Sequence, residues 1–162
     1  MQFKKNVHGI NHKTVIMQQA KKIREADLKD VDTIFSFICH LEETSFGFQT
    51  FKDRFTKNLD DERCIYLVAV NDFDEVIGFI SCQGQALLHH EGNVYEIQET
   101  YVSKNHRGKG IAKSLFTALE EKLAETGCKK LELCAHIKRA DVRKFFTKKG
   151  FVQTHVKFEK EI

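Results

Sequence analysis

Between an apolar strand pattern and a long amphipathic one, the chain carries the run VSKNHRGKGIA, residues 102–112. Gly108 and Gly110 let a backbone turn tightly there and approach a ligand closely. A helix opening at Ile111 would point unpaired amides and the positive end of its dipole at the same spot. Arg107, Lys109 and Lys113 add positive charge. Together these features make a cradle for a polyphosphate. The P-loop spacing G-x-x-x-x-G-K-S/T is absent, and so is G-x-G-x-x-G inside a repeated βαβ unit.

The flanking patterns place this loop in a fold. Residues 20–24 read as a short strand. Asp27 is an N-cap before Leu28, Val31, Ile34, Phe35, Ile38 and Leu41, whose three- and four-residue spacing predicts a helix. Phe48, Phe51, Phe55 and Leu59 predict a second helix. Residues 65–70 and 76–82 are strands joined by the turn Asn71-Asp72-Phe73-Asp74. Residues 94–102 form the strand before the loop. Ile111, Leu115, Leu119 and Leu123 share one face of a helix over 111–125 that Gly127 ends. Residues 130–135 predict a strand, 141–148 a helix closed by Gly150, and 151–158 a last strand. The order β-α-α-β-β-β-α-β-α-β is α+β, with a mixed, mostly antiparallel sheet. Residues 1–19 show no clean period and read as an N-terminal extension to one domain over 20–162.

Composition narrows the partners. At 162 residues the chain is long enough for one self-sufficient core. Its five cysteines, Cys39, Cys64, Cys82, Cys128 and Cys134, are odd in number and never spaced C-x-x-C. Free thiols, and a start without an apolar signal region, predict a cytoplasmic protein. No apolar run nears the ~18 residues that cross a membrane. The first 100 residues hold 11 Lys+Arg against 16 Asp+Glu, and the remainder 15 against 7. The basic part begins at the glycine loop, which suits an anionic ligand. No dense basic tract or RNA-binding aromatic motif points to nucleic acid.

Arg107-x-x-Gly110-x-Ala112 resembles the Arg/Gln-x-x-Gly-x-Gly/Ala signature of the GCN5-related N-acetyltransferase superfamily. Phe145-Phe146-Thr147-Lys148-Lys149-Gly150-Phe151 resembles that family's Phe/Leu-Tyr-x-x-x-Gly-Phe close. The likeness spans residues 20–158 and implies the acyl-CoA N-acyltransferase fold, with helices on both faces of the sheet. A narrower likeness to bacterial aminoalkylphosphonate N-acetyltransferases rests on several short runs. These are Ile38-Cys39-His40-Leu41, Leu88-His89-His90, Glu96-Ile97-Gln98-Glu99, Lys138-Arg139-Ala140-Asp141 and Thr154-His155-Val156-Lys157-Phe158.

The resemblance implies that acetyl-CoA is the cosubstrate. Its pyrophosphate would lie on Arg107, Gly108, Lys109, Gly110, Ile111 and Ala112, with Arg139 and Phe146 also on the cofactor. Its pantetheine would run between two splayed strands, where a backbone amide near Tyr101 or Val102 polarises the thioester. Glu96 is the first candidate for general base, through a water, and Glu99 the second. In a regular strand Glu96, Gln98 and Thr100 share one face, and Tyr95, Ile97, Glu99 and Tyr101 the other; a bulge would turn Glu99 around. The family's usual acid, a tyrosine, is replaced by Phe146. Water is then the favoured acid, ahead of Tyr101, Tyr95 and Cys134. His89, His90 and His155, with Lys138 or Arg139, suit the anionic end of a small-molecule amine substrate. The narrower likeness also implies divalent-metal stimulation, although no ligand spacing marks a metal site. Family members are often homodimers. Other acceptors (a polyamine, an aminoglycoside, an amino acid, a protein lysine) and a non-catalytic acyl-CoA sensor are the competing readings.

Overall fold

A computed structural model describes residues 22–162. The expected extension over 1–19, and the first two residues of the expected first strand, lie outside the described residues. Five strands form one sheet in the order β1-β2-β3-β4-β5. They are β1 (Lys22–Glu25), β2 (Cys64–Val70), β3 (Val76–Gln85), β4 (Asn93–Val102) and β5 (Cys128–Leu133). The first three pairings are antiparallel and β4–β5 is parallel. The helices are α1 (Val31–Glu42), α2 (Phe48–Leu59), α3 (Ile111–Ala124) and α4 (Ala140–Thr147).

Asp27 does cap a helical segment, but a short one. Its side chain accepts from the Lys29 amide and opens a 3-10 turn at Leu28–Asp30, after which α1 starts. The sheet is covered on both faces, so β2 reads as a continuous apolar run and not an alternating one. On one face α3 lays Ile111, Leu115, Phe116, Leu119 and Leu123 against Ile65, Leu67, Ala69, Ile77 and Ile80. Leu115 and Leu119 are fully buried, each contributing roughly 1.5–3 kcal/mol. On the other face Val31, Ile34, Phe37 and Ile38 of α1 and Phe55 of α2 pack on Val68, Val70, Phe79 and Tyr101.

Gly78 sets how closely α3 approaches. A Cβ there would stand 3.0 Å from Ile111 Cγ2 and 3.2 Å from Leu115 Cδ1. The bare glycine therefore fixes the height of the α3 N-terminus above the sheet. α4 docks through an aromatic cluster in which Phe145, Phe146 and Phe151 surround Phe116 at centroid distances of 6.4, 5.9 and 6.0 Å.

The expected last strand does not form. Residues 151–162 carry no strand pairing. Val152, Val156 and Phe158 are 72–91% exposed. Alternation supplies a strand-like side-chain pattern, but a strand also requires a backbone partner, and this segment has none within the sheet.

Candidate active site

β4 and β5 run side by side only from Asn93↔Cys128 to Ile97↔Leu133. Beyond that pair β4 continues to Val102 while β5 ends. Residues 98–102 thus present one backbone edge that β5 leaves unpaired, at a gap between the two strands. Thr100 Oγ1, on this same stretch, is buried with no hydrogen-bond partner among the described residues.

The gap leads to the glycine loop. After β4, the Ser103 amide donates to Ile77 O at 3.0 Å, and Ser103 Oγ pairs with His106 Nδ1 at 2.7 Å. A proline at position 103 could not make the first bond. Arg107 Nε donates to Val102 O at 2.9 Å, and its guanidinium stands 5.4 Å from the Tyr101 ring centre. Gly108 and Gly110 have φ of 72° and 79°, a region closed to most side chains. No heavy atom lies within 4 Å of where either Cβ would stand. No side chain caps the first α3 amides. The loop is therefore a bare backbone concavity at a helix N-terminus, and it fits a pyrophosphate.

Lys109 and Gly110 also border an open groove of about 840 Å³ between β1 and α3, with Arg24, Glu25 and Lys122 among its other walls. That groove follows the outside of α3, not the β4–β5 gap. Arg139 is exposed at the start of α4. Phe146 is 5% exposed and packs in the core under α3.

The carboxylates do not alternate as a regular strand would have them. Ile80 pairs with Thr100 but Cys82 pairs with Ile97, so two residues of β4, Gln98 and Glu99, oppose the single Ser81. This bulge turns Glu99 onto the face of Glu96 and away from Tyr95 and Ile97. Ser81, 1% exposed, lies under it. Its hydroxyl donates to Glu99 Oε2 and accepts the Glu99 amide at 3.0 Å. Burial pushes the Glu99 carboxyl above its usual range, against the lowering bond from Ser81, and the nearby charge of Glu42 adds to the rise. Glu96, half-buried, accepts from Gln85 Nε2 at 3.3 Å.

Parallel register sets Glu132 of β5 beside Glu96. The Lys130 ammonium, 2.5 Å away, holds the Glu132 carboxyl below its usual range, and the charges of His155 and His90 add to this. His90 in turn stacks near His89, with ring centroids 4.3 Å apart. His90 and His155 thus act on Glu132 by charge, and Glu132 stands next to Glu96. Among the described residues, no group of three or more His, Cys, Asp or Glu side chains is arranged to hold a metal ion. Ser81 and Glu132 carried no sequence signal, because their roles depend on a register shift and on a parallel pairing.

His40, on the last turn of α1, places its ring 6.3 Å from that of Tyr101. Tyr101 and Phe37 are in contact at 4.7 Å. Of the tyrosines considered as acids, Tyr95 is only 3% exposed, in the core facing α3. Cys134 is exposed just beyond β5, while Cys82 is fully buried and its thiol is pushed up to about 12 by burial.

No helix among the described residues is long and apolar enough to cross a membrane. Residues 31–151 match the acetyltransferase (GNAT) family. An aminoalkylphosphonate N-acetyltransferase of Salmonella typhimurium is 35% identical over 141 residues, spanning 87% of this chain and 91% of that protein. Among solved structures, a transcriptional regulator from Bacillus halodurans is similar with a TM-score of 0.80 and 20% identity, over 88% of this chain and 100% of that one. A possible acetyltransferase from Clostridium difficile gives 0.75 and 23%, over 89% and 99%. At those identities the structures speak for the fold alone.

Proposed function

The chain belongs to the acetyltransferase (GNAT) family and is an N-acetyltransferase that draws on acetyl-CoA; we propose that its acceptor is the primary amine of a small aminoalkylphosphonate. The observation that carries this is the charge of His90 and His155 acting on Glu132, which the parallel register sets beside Glu96. An aminoalkylphosphonate has a cationic end and a dianionic end a few atoms apart. Glu96 and Glu99 offer carboxylates to the first. His89, His90 and His155 offer donors to the second, and charge-assisted bonds to phosphonate oxygens are among the stronger ones available. The 35% identical relative bears the same substrate class in its name.

In this reading Arg107 to Ala112 bind the pyrophosphate, and Tyr101 and Val102 offer backbone amides along the pantetheine. The cosubstrate supplies an acetyl thioester; the chain orients it and handles protons. Glu96 takes the amine's proton through a water, with Glu99 the second candidate for that role.

One observation favours a second acceptor class. Glu42, Glu96, Glu99 and Glu132 together give the acceptor side an acidic lining, which suits a polyamine or aminoglycoside. The test is release of free thiol from acetyl-CoA with a panel of amines. Turnover confined to aminoalkylphosphonates supports the proposal; preference for polyamines or aminoglycosides overturns it.

A further inference from the structure

Thr100 carries a hydroxyl that the fold itself does not use. Its Oγ1 is buried and has no hydrogen-bond partner among the described residues. A buried hydroxyl left unpaired destabilises a fold, and native structures hold few of them. Valine has the same branched shape without that cost. Packing alone therefore gives no reason for a threonine at this position.

The bulge in β4 decides which way the hydroxyl faces. In an unbroken strand Thr100 would share the face of Glu96. Because Gln98 and Glu99 both oppose Ser81, the alternation restarts after them. Thr100 then pairs with Ile80 and Val102 with Gly78, while Tyr101 pairs with Phe79. Ile80 lies in the core under α3, as Phe146 does, and Val102 packs against that core. Tyr101 and Phe79 lie in the core under α1. Thr100 is thus on the α3 side of the sheet, within the stretch 98–102 that β5 leaves unpaired. Glu99, beside it in sequence, is on the α1 side.

We propose that Thr100 Oγ1 binds the pantetheine arm of acetyl-CoA, one of the arm's amides completing the hydrogen bond that the fold leaves unmade. This rests on the acetyl-transfer reading above, in which pantetheine lies along this part of β4. The arm's amides offer both N–H donors and carbonyl acceptors, and a hydroxyl can serve either. Thr100 as a residue keeps part of its surface open. A change of χ1 rotamer carries Oγ1 from its buried position to that open side. The bond holds the arm before and during transfer alike and moves no proton, so its signature is in binding.

The experiment sets Thr100→Val and Thr100→Ser beside the unaltered protein, with calorimetric titration for affinity and thermal unfolding for stability. Without ligand, Thr100→Val should melt about 2–4 °C higher, because the unpaired hydroxyl is gone. Its affinity for acetyl-CoA should fall about tenfold. Its affinity for adenosine bisphosphate, the nucleotide end of coenzyme A without the arm, should stay within about twofold. Thr100→Ser keeps a hydroxyl and should hold acetyl-CoA within about threefold of the unaltered protein. Unchanged acetyl-CoA affinity in Thr100→Val, an equal loss with the bisphosphate, or an equal loss in Thr100→Ser would overturn the proposal. So would a lower melting temperature for ligand-free Thr100→Val, which would show that the hydroxyl is bonded within the fold. If the unaltered protein binds acetyl-CoA but acetylates no amine, the acetyl-transfer reading fails, and the affinities still decide the role of Thr100.

Discussion

Arg24 grips Asp30 through two parallel hydrogen bonds, Nη1 to Oδ2 at 2.7 Å and Nη2 to Oδ1 at 2.8 Å. Asp30 is 3% exposed, and it also accepts the Asp27 amide at 2.9 Å. The pair ties β1 to the turn that launches α1. Asp74, from the β2–β3 turn, joins the same cluster through Arg24 and Lys29.

Removing the buried carboxylate should therefore loosen the start of α1. Asp30→Asn should lower stability in urea unfolding by about 3 kcal/mol, the low end for breaking a buried pair, because Arg24 keeps Asp27 and Asp74 nearby. Burial alone would raise the Asp30 carboxyl, but the bonds from Arg24 and the Asp27 amide, with the Arg24 charge, outweigh it and hold it below its usual range. A depressed folded value means the contribution is full above the unfolded carboxylate range. It is lost as pH falls through the folded value. The variant should accordingly show a flatter decline in stability on acidification; an identical acid limb would contradict the pairing.

Glu96→Gln tests the base. The rate with acetyl-CoA should drop by about 100-fold at neutral pH and by less at high pH, where more of the amine is already free. Steady-state rates across pH measure this, and an unchanged neutral rate would remove Glu96 from the role.

Gly110→Ala tests the loop. The added methyl meets no neighbour, so its penalty is the left-handed φ of 79° alone, about 1–2 kcal/mol for an L-residue. Relief by a backbone shift would turn the α3 amides away from the pyrophosphate. Calorimetric titration with acetyl-CoA should show affinity reduced by up to about tenfold for each 1.4 kcal/mol transferred to binding. Affinity equal to that of the unaltered chain would show that the loop absorbs the change elsewhere.

The cysteines offer a map of access. Cys82, with no exposure and a thiol pushed up to about 12, should resist alkylation until the protein unfolds. Cys134, exposed beside the mouth of the β4–β5 gap, should react readily and be shielded by acetyl-CoA. Mass spectrometry of briefly alkylated protein distinguishes them; labelling of Cys134 at the same rate with and without acetyl-CoA would separate it from the cofactor path.

Much of this architecture was legible before any coordinates. The glycine loop and α3 declared themselves because a phosphate cradle needs residues free to take positive φ, followed by a regular helical stripe. Gly110 and the row Ile111, Leu115, Leu119 satisfy both. What escaped was long-range pairing. A bulge at Glu99 could be weighed from the sequence but not located, because it exists only relative to Ser81 on another strand. The partnership of Glu96 with Glu132 follows from a parallel register set by the α3 crossover, which local pattern does not encode. The mistaken last strand is the same lesson reversed: residues 151–158 have the side-chain alternation but no neighbouring backbone.

Among the described residues, the strand order leaves β1 and β5 as the sheet's two outer strands. An outer strand is a template onto which any other chain can add. Here the exposed positions of β5 are Lys129 and Lys130, and β1 opens on exposed Lys22. Lys129 and Lys130 of the basic C-terminal part, with Lys22, thus act as gatekeepers against fibre growth. Neutralising them by dense chemical acylation, the very modification this enzyme family performs on amines, would remove the repulsion that keeps crowded copies dispersed.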